Sequence, residues 1–196
     1  LNHKCKTLLG PKFILLRSDF LSFEKKTFNS LNTVQNLFVF FGGSDPHNIT
    51  SMVLKSLSEK NLLFLNVDVI IGSNNPFYNE VKFLVNRRPK TTLYVQVNKI
   101  SKIISKADFC IGAGGSNIWE RFFLGIASGI ISIADNQLES VKYLEKLQLI
   151  RYFGHYNEIS HKHINKSILN TIEDKRLINK MSSNIGNLVD GFGVHR

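Results

Sequence analysis

A chain of 196 residues, 43% apolar and 11% aromatic, carries enough apolar surface for one compact domain with a core of ordinary density. Thirteen glycines, four prolines and a charged fraction of 20% exclude linker, fibrous and disordered classes; two cysteines, Cys5 and Cys110, exclude a disulfide scaffold and read as reduced thiols of a cytoplasmic protein. The formal charge of +10 raises nucleic acid as a partner, but the basic excess is spread evenly along the chain with no dense stripe, and such a diffuse field suits a small polyphosphate ligand as well as a nucleic acid backbone; the expectation is no nucleic acid partner, since the chain also lacks an aromatic-basic stacking array.

Lys4, Lys6 and Lys12, and then Arg87, Arg88 and Lys90, are the nearest approach to basic clusters, and both read as solvated loops or faces. No apolar run approaches the roughly 20 residues that span a bilayer, and the first residues lack the apolar core of a signal peptide. The chain begins at Leu1 and ends in GFGVHR, which reads as a fragment of a longer protein.

Residues 1–36 form a leader and interdomain segment with one short strand expected at Phe13 to Leu16. Residues 37–196 form the organised domain. LFVFFGG, from Leu37, is continuously apolar and ends in two glycines, which predicts a strand covered on both faces and a tight loop. Ile49, Met52, Val53 and Leu57 recur at helical spacing over 48–60. A strand follows at Asn66 to Ile71, a helix over 76–86 with Phe77, Val81, Leu84 and Val85 inward, and a strand at Thr92 to Val95. The spacing then predicts a helix over 98–106, a strand at Asp108 to Ile111, the loop GAGGS, and a helix from Asn117 to Leu124 with Trp119, Phe122 and Phe123 inward, ended by Gly125. A strand at Gly129 to Ile133, a helix from Gln137 to Leu147, a strand at Leu149 to Phe153 and helices near 160–171 and 173–188 complete the chain.

Six strands with intervening helices predict an α/β, doubly wound parallel sheet of Rossmann-like type. With the strand order 3-2-1-4-5-6, the first and fourth strands are neighbours where the winding reverses, and ligands bind beyond the carboxyl ends of strands at that point. The glycine loops GGSD (42–45) and GAGGS (112–116) would then flank one cleft.

GAGGS lacks the last glycine of GxGxxG, no acidic residue closes the second strand, and no GK[ST] is present, so the dinucleotide and Walker A readings lack their marks. What remains is a run of backbone N–H groups at Gly114, Gly115 and Ser116 leading into a helix, suited to a diphosphate, or simply a tight strand-to-helix turn. Glu120 either closes a capping box with Asn117 or accepts the hydroxyls of a ribose. Asp45 and Asp135 precede helices and read equally as N-caps. Asn136 and Gln137 carry amides suited to sugar hydroxyls. His47, His155, His161, His163 and His195 make no metal-ligand spacing. Of these His47, in a turn beside the expected cleft, is the one weak candidate for substrate contact or catalysis.

Taken together, GPKFILLRSDF, FFGGSDPHNIT, ADFCIGAGGSNIWERFFLGIASGIISIADNQ and VDGFGVHR resemble the C-terminal half of the nucleotide-sugar hydrolases of pseudaminic acid biosynthesis. Those enzymes release UDP from UDP-2,4-diacetamido-2,4,6-trideoxy-β-L-altropyranose and are similar in turn to GT-B glycosyltransferases, including the one that forms lipid II. The resemblance implies UDP or a UDP-sugar as substrate or product, no separate cofactor and no metal. It implies UDP held between Gly42, Gly43, Ser44 and Asp45 on one side and Gly112, Gly114, Gly115, Ser116 and Asn117 on the other, with Glu120 on the ribose and Asp135, Asn136 and Gln137 facing the sugar or the diphosphate. Asn117 departs from the usual Thr or Ser. The resemblance also places the catalytic histidine in an N-terminal domain that this chain does not contain, leaving no catalytic residue among 1–196. A donor-binding domain of a GT-B glycosyltransferase and a non-catalytic nucleotide-sugar binding module are the alternatives.

Overall fold

The computed structural model describes residues 7–26 and 33–196. Its six strands are β1 (Asn36–Phe40), β2 (Asn66–Ile71), β3 (Thr91–Val95), β4 (Phe109–Ala113), β5 (Ser128–Ser132) and β6 (Arg151–His155). They form one sheet of order β3-β2-β1-β4-β5-β6 in which every pairing is parallel, the doubly wound topology expected from the element order. All residues of β4 and β5 are buried, because helices cover both faces of the central strands and leave no side to solvent.

The helices are α1 (Ile49–Leu57), α2 (Tyr78–Arg87), α3 (Ser101–Ile104), α4 (Ile118–Phe123), α5 (Leu138–Lys146), α6 (His161–Glu173) and α7 (Lys175–Ile185). Val53, Val81, Ile164 and Ile178 pack with Val39, Val69 and Ile111 in one apolar layer. Ile104, Phe122 and Val141 pack with Phe38, Cys110 and Ile130 in the other, as strand alternation requires. Trp119 is only partly buried, meeting Phe122 edge-on with ring centroids 5.6 Å apart. Gly125, with φ +72°, takes the left-handed position that ends α4.

Three expectations need correction. No strand forms at Phe13 to Leu16: Gly10 (φ +96°) and Pro11 turn the chain into a 3-10 turn at Pro11–Phe13, and Ile14 backs onto Gly193. A second 3-10 turn at Ser18–Phe20 sends Phe20, fully buried, into the second apolar layer. The helix over 98–106 contracts to α3, because the turns at Lys99–Lys102 and Ile103–Lys106 close through i to i+3 bonds, which tighten and do not propagate. Arg88 is no solvated cation. It is 3% exposed and donates to the carbonyls of Leu57, Leu62, Leu65 and Pro89 at 2.7–3.1 Å, with burial pulling its guanidinium down to about 10. Lys4, Cys5 and Lys6 lie outside the described residues, whereas Cys110 is buried, its thiol pushed up to about 12 by burial. Among the described residues no helix is long and apolar enough to cross a membrane.

The register of the two central strands is set by one side chain. Asp108, just before β4, accepts the N–H groups of Gln35 and Asn36 at 3.1 and 2.9 Å and the Asn36 amide at 3.0 Å. Leu37 thereby pairs with Phe109, and Phe40 with Gly112, so that both strands end level at the reversal point.

Candidate functional site

The loops after β1 and β4 emerge side by side. Gly42 adopts φ +95°, and the Gly43 carbonyl accepts from Gly72 N at 2.9 Å and Asn75 Nδ2 at 3.3 Å, so the loop after β2 braces the loop after β1. A Cβ on Gly72 would lie 2.9 Å from the Gly43 oxygen, which is why the two backbones approach only with glycine there. Ser44 is exposed. Asp45, in contrast, is 1% exposed and accepts Ile49 N at 3.0 Å and Thr50 N at 2.8 Å. Its carboxylate neutralises the amino end of α1, so of the two readings offered for Asp45 the capping one is formed in the structure.

Gly112 passes beneath β1 so closely that a Cβ would lie 2.5 Å from the Phe40 oxygen and 2.6 Å from Arg121 Nη1. Gly114 abuts Val141, while Gly115 has open space with only Gln137 Nε2 at 3.9 Å. The N–H groups of Gly115, Ser116 and Asn117 donate to no other backbone group among the described residues. Neither of the capping roles expected after this loop forms. Asn117 makes no side-chain cap, its Oδ1 instead accepting from Arg121 Nη2 at 3.3 Å. Glu120 does not reach back to close a capping box, because Arg17 Nε holds its Oε1 at 3.0 Å. Burial pushes the Glu120 carboxyl above its usual range, with the Arg17 charge opposing the shift.

Arg17, Phe40, Gly43, Gly72, Gln96, Ser116, Asn117 and Glu120 line a cleft of about 360 Å³ across the ends of β1, β2 and β4. Arg121 sits behind its floor, 3% exposed, donating to the Ala113 carbonyl at 2.7 Å. Its Nε has no hydrogen-bond partner among the described residues, and burial brings the guanidinium down to about 10. Arg17, Gly72, Gln96 and Arg121 were not singled out from the sequence. Arg121 had a legible signal, since a cation between Ile118 and Phe122 in IWERFF falls on the inward face of a helix; Gly72 and Gln96 follow once all loops after parallel strands are placed at one edge of the sheet.

The third segment, ADNQ, lies beside the second. Gln137 Oε1 accepts Ile133 N at 3.1 Å and its amide faces Gly115. Asn136 is exposed. Asp135 opens a 3-10 turn but makes no cap bond, which corrects the N-cap reading; its side chain is 95% exposed and stands 3.6 Å from His155 Nε2. His47 stacks on Tyr156 with ring centroids 3.8 Å apart and does not line the cleft that holds Glu120. Among the described residues no three His, Cys, Asp or Glu side chains gather to hold a metal ion.

A parallel sheet of this order, with two glycine loops meeting at its reversal point, defines a Rossmann-like domain of the GT-B type. The family is given by residues 37–190, which match the glycosyltransferase family 28 C-terminal domain; the chain belongs to that family and is a nucleotide-sugar binding domain of a GT-B type protein. It is 29% identical over 146 residues to the uncharacterized protein MJ1062 of Methanocaldococcus jannaschii, covering 72% of this chain and 30% of that one. It is 24% identical over 139 residues to the spore coat polysaccharide biosynthesis protein SpsG of Bacillus subtilis, covering 68% and 39%. The matched region thus spans about three tenths of the first relative and about two fifths of the second. Among solved structures it superposes on MurG of Acinetobacter baumannii with a TM-score of 0.67 at 16% identity, over 94% of this chain and 51% of that one. On the UDP-GlcNAc 2-epimerase of Neisseria meningitidis the TM-score is 0.61 at 14% identity, over 83% and 43%. These two likenesses are of fold.

Proposed function

We propose that the chain binds the UDP moiety of a nucleotide sugar for an enzyme that hydrolyses UDP-2,4-diacetamido-2,4,6-trideoxy-β-L-altropyranose, releasing UDP in surface-polysaccharide biosynthesis. The observation that carries the nucleotide reading is the juxtaposition in one cleft of a half-buried carboxylate, Glu120, and of Ser116 and Asn117, whose N–H groups, like that of the adjoining Gly115, donate to no other backbone group among the described residues. A carboxylate accepts only and suits the paired hydroxyls of a ribose, whereas N–H groups donate only and suit phosphate oxygens. Arg17 at the rim and Arg121 behind the floor add positive potential where the diphosphate would lie.

The chemistry assigned to this domain is stabilisation of the leaving group. As water attacks the anomeric carbon and its bond to the β-phosphate oxygen breaks, negative charge grows on that oxygen, and donors already fixed around it lower the barrier without reorganising. Proton removal from the water belongs to groups outside residues 1–196; His47, engaged on Tyr156, is not assigned the task. Membership of glycosyltransferase family 28 favours a second reading in which an acceptor hydroxyl takes the place of water and the same leaving-group stabilisation serves transfer.

The nucleotide reading is tested by calorimetric titration of the chain with UDP and UMP, repeated with Glu120→Ala. Tighter binding of UDP than UMP, with both weakened by the substitution, is expected; equal affinity for the two, unchanged in the variant, refutes it. UDP release from the diacetamido sugar nucleotide by the full-length protein, with and without an added acceptor, separates hydrolysis from transfer.

A further inference from the structure

We propose that Arg121 is a positioning residue that ties together the two ends of the GAGGS loop and turns the Asn117 amide so that its Nδ2 hydrogens, with the N–H groups of the loop, face the diphosphate; the proposal rests on the nucleotide-sugar reading above. Two arginines are buried in this domain, and they are used differently. Arg88 spends every guanidinium nitrogen on the scaffold, Nε on Leu57, Nη1 on Leu65, Pro89 and Thr91, and Nη2 on Leu62. Arg121 hydrogen-bonds through Nη2 alone, to the Ala113 carbonyl at 2.7 Å and to Asn117 Oδ1 at 3.3 Å. Among the described residues its Nε has no partner and its guanidinium enters no ion pair. A buried cation with no carboxylate partner is costly as a packing element, and a bound diphosphate supplies the missing negative charge.

Ala113 ends β4 and Asn117 stands at the entry to α4, so the two oxygens held by Nη2 mark the two ends of the loop. A terminal guanidinium nitrogen carries two hydrogens, one for each oxygen. Gly112 makes the reach possible, since a Cβ there would lie 2.6 Å from Nη1, in the space the guanidinium fills. Between the fixed ends the acceptors of the loop turn into the helix: the carbonyls of Gly115 and Ser116 accept from Ile118 N at 3.1 Å and Trp119 N at 3.3 Å. The N–H groups of Gly115, Ser116 and Asn117 donate to no other backbone group among the described residues.

The Asn117 amide takes its orientation from the same nitrogen. A guanidinium only donates, so the amide atom facing it is the oxygen, and Nδ2 is left for the cleft that Asn117 lines beside Ser116 and Glu120. Without Arg121 nothing distinguishes the two ends of the amide, and an amide oxygen turned toward a phosphate sets two acceptors face to face. Arg121 itself lines a small hollow that shares Phe40, Ile100, Asn117 and Glu120 with the cleft. It therefore stands one side chain back from the ligand and acts through Asn117 and the loop.

The test titrates UDP and uridine, which lacks the phosphates, into the 196-residue chain as wild type, Arg121→Met, Asn117→Ala and the double variant. Each single substitution is expected to weaken UDP about tenfold, the order for a hydrogen bond to a charged group, and to leave uridine within about twofold, while the double variant loses no more than Arg121→Met alone. Additive losses, or equal losses for both probes, overturn the positioning role. Nitrogen-15 NMR of the Asn117 side-chain amide supplies a reading that a packing role would not move: its Nδ2 hydrogens are expected to shift on addition of UDP in wild type and not in Arg121→Met, and an amide unmoved by UDP in wild type refutes the assigned orientation. Asn117→Asp keeps the test decisive if Arg121→Met fails to fold, because the new carboxylate still pairs with Arg121 but puts an acceptor where the donor stood. It is expected to bind UDP more weakly than Asn117→Ala, and equal or tighter binding overturns the proposal. Wild-type chain that binds no UDP refutes the nucleotide reading and this proposal together, whereas UDP binding unchanged in Arg121→Met refutes this proposal alone.

Discussion

Arg17 Nε donates to Glu120 Oε1 at 3.0 Å, joining the leader to the helix after the second glycine loop across 103 residues of sequence. The pair forms one wall of the cleft, and its members pull the Glu120 carboxyl in opposite directions, burial upward and the guanidinium downward. Burial prevails.

The sign of the pH dependence follows. A carboxyl whose folded value lies above its ordinary 4.5 contributes stability below that value and loses it as pH rises through the raised one. Glu120→Gln is expected to remove this loss, so that its urea midpoint gains on wild type as pH is raised from 4 to 7. Arg17→Ala is expected to push the Glu120 carboxyl higher still, read by carbon-13 NMR titration; an unchanged midpoint would mean that the pair is not formed in solution.

Gly115 separates a turn from a binding site. Its φ lies outside the left-handed range and a Cβ finds open space, so Gly115→Ala is expected to leave thermal stability within about 0.5 kcal/mol of wild type, as for an unstrained surface change. If phosphate oxygens approach its N–H, the added methyl obstructs them, and UDP affinity is expected to fall at least tenfold, about 1.4 kcal/mol. Unchanged affinity would leave GAGGS a turn alone.

Gly112→Ala supplies the contrast. A Cβ at 2.5 Å from the Phe40 oxygen can be relieved only by moving β1 from β4, and a loss of about 1–3 kcal/mol or more is expected. Denaturant unfolding checks it.

Arg88, at the opposite edge of the sheet from the cleft, tests buried charge without function. Arg88→Ala strips the donor from four carbonyls, three of them from residues 57–65 and the fourth from Pro89. A destabilisation of about 3–5 kcal/mol is expected, with UDP affinity of the folded fraction unchanged. A loss of affinity without loss of stability would contradict the assignment of Arg88 to the scaffold.

The sheet was legible because its central strands are buried on both faces and so read as unbroken apolar runs, with LFVFF and FCIGA bounded by glycine. Strand ends were less so: β6 runs to His155, two residues past the apolar stretch, because Gly154 and His155 continue the pairing with Ile131 and Ser132 of β5. Asp45 and Asp135 look alike in sequence, each at the end of a strand-to-helix connection. Only the positive φ of Asp45, 39°, folds its carboxylate back onto the amino end of α1. Charge alone misled at Arg88, because no local pattern announces that four carbonyls from three separate turns converge on one guanidinium. Glu120 and Asn117 have the spacing of a capping box, and the cations at 17 and 121, one distant and one adjacent, draw both side chains away from it.

The order β3-β2-β1-β4-β5-β6 has a kinetic consequence. The first three strands pair among themselves as soon as residue 95 is made, but β1 waits for Phe109–Ala113 before its other edge is covered. Throughout that interval the nascent chain presents Leu37–Phe40, its most apolar strand, as an open template for pairing. The Asp108 carboxylate, which takes the backbone N–H groups of Gln35 and Asn36, sits at the start of the strand that covers that edge, so the residue that sets the register of the central strands also closes β1 and passes the open edge on to β4, which waits in turn for Ser128–Ser132.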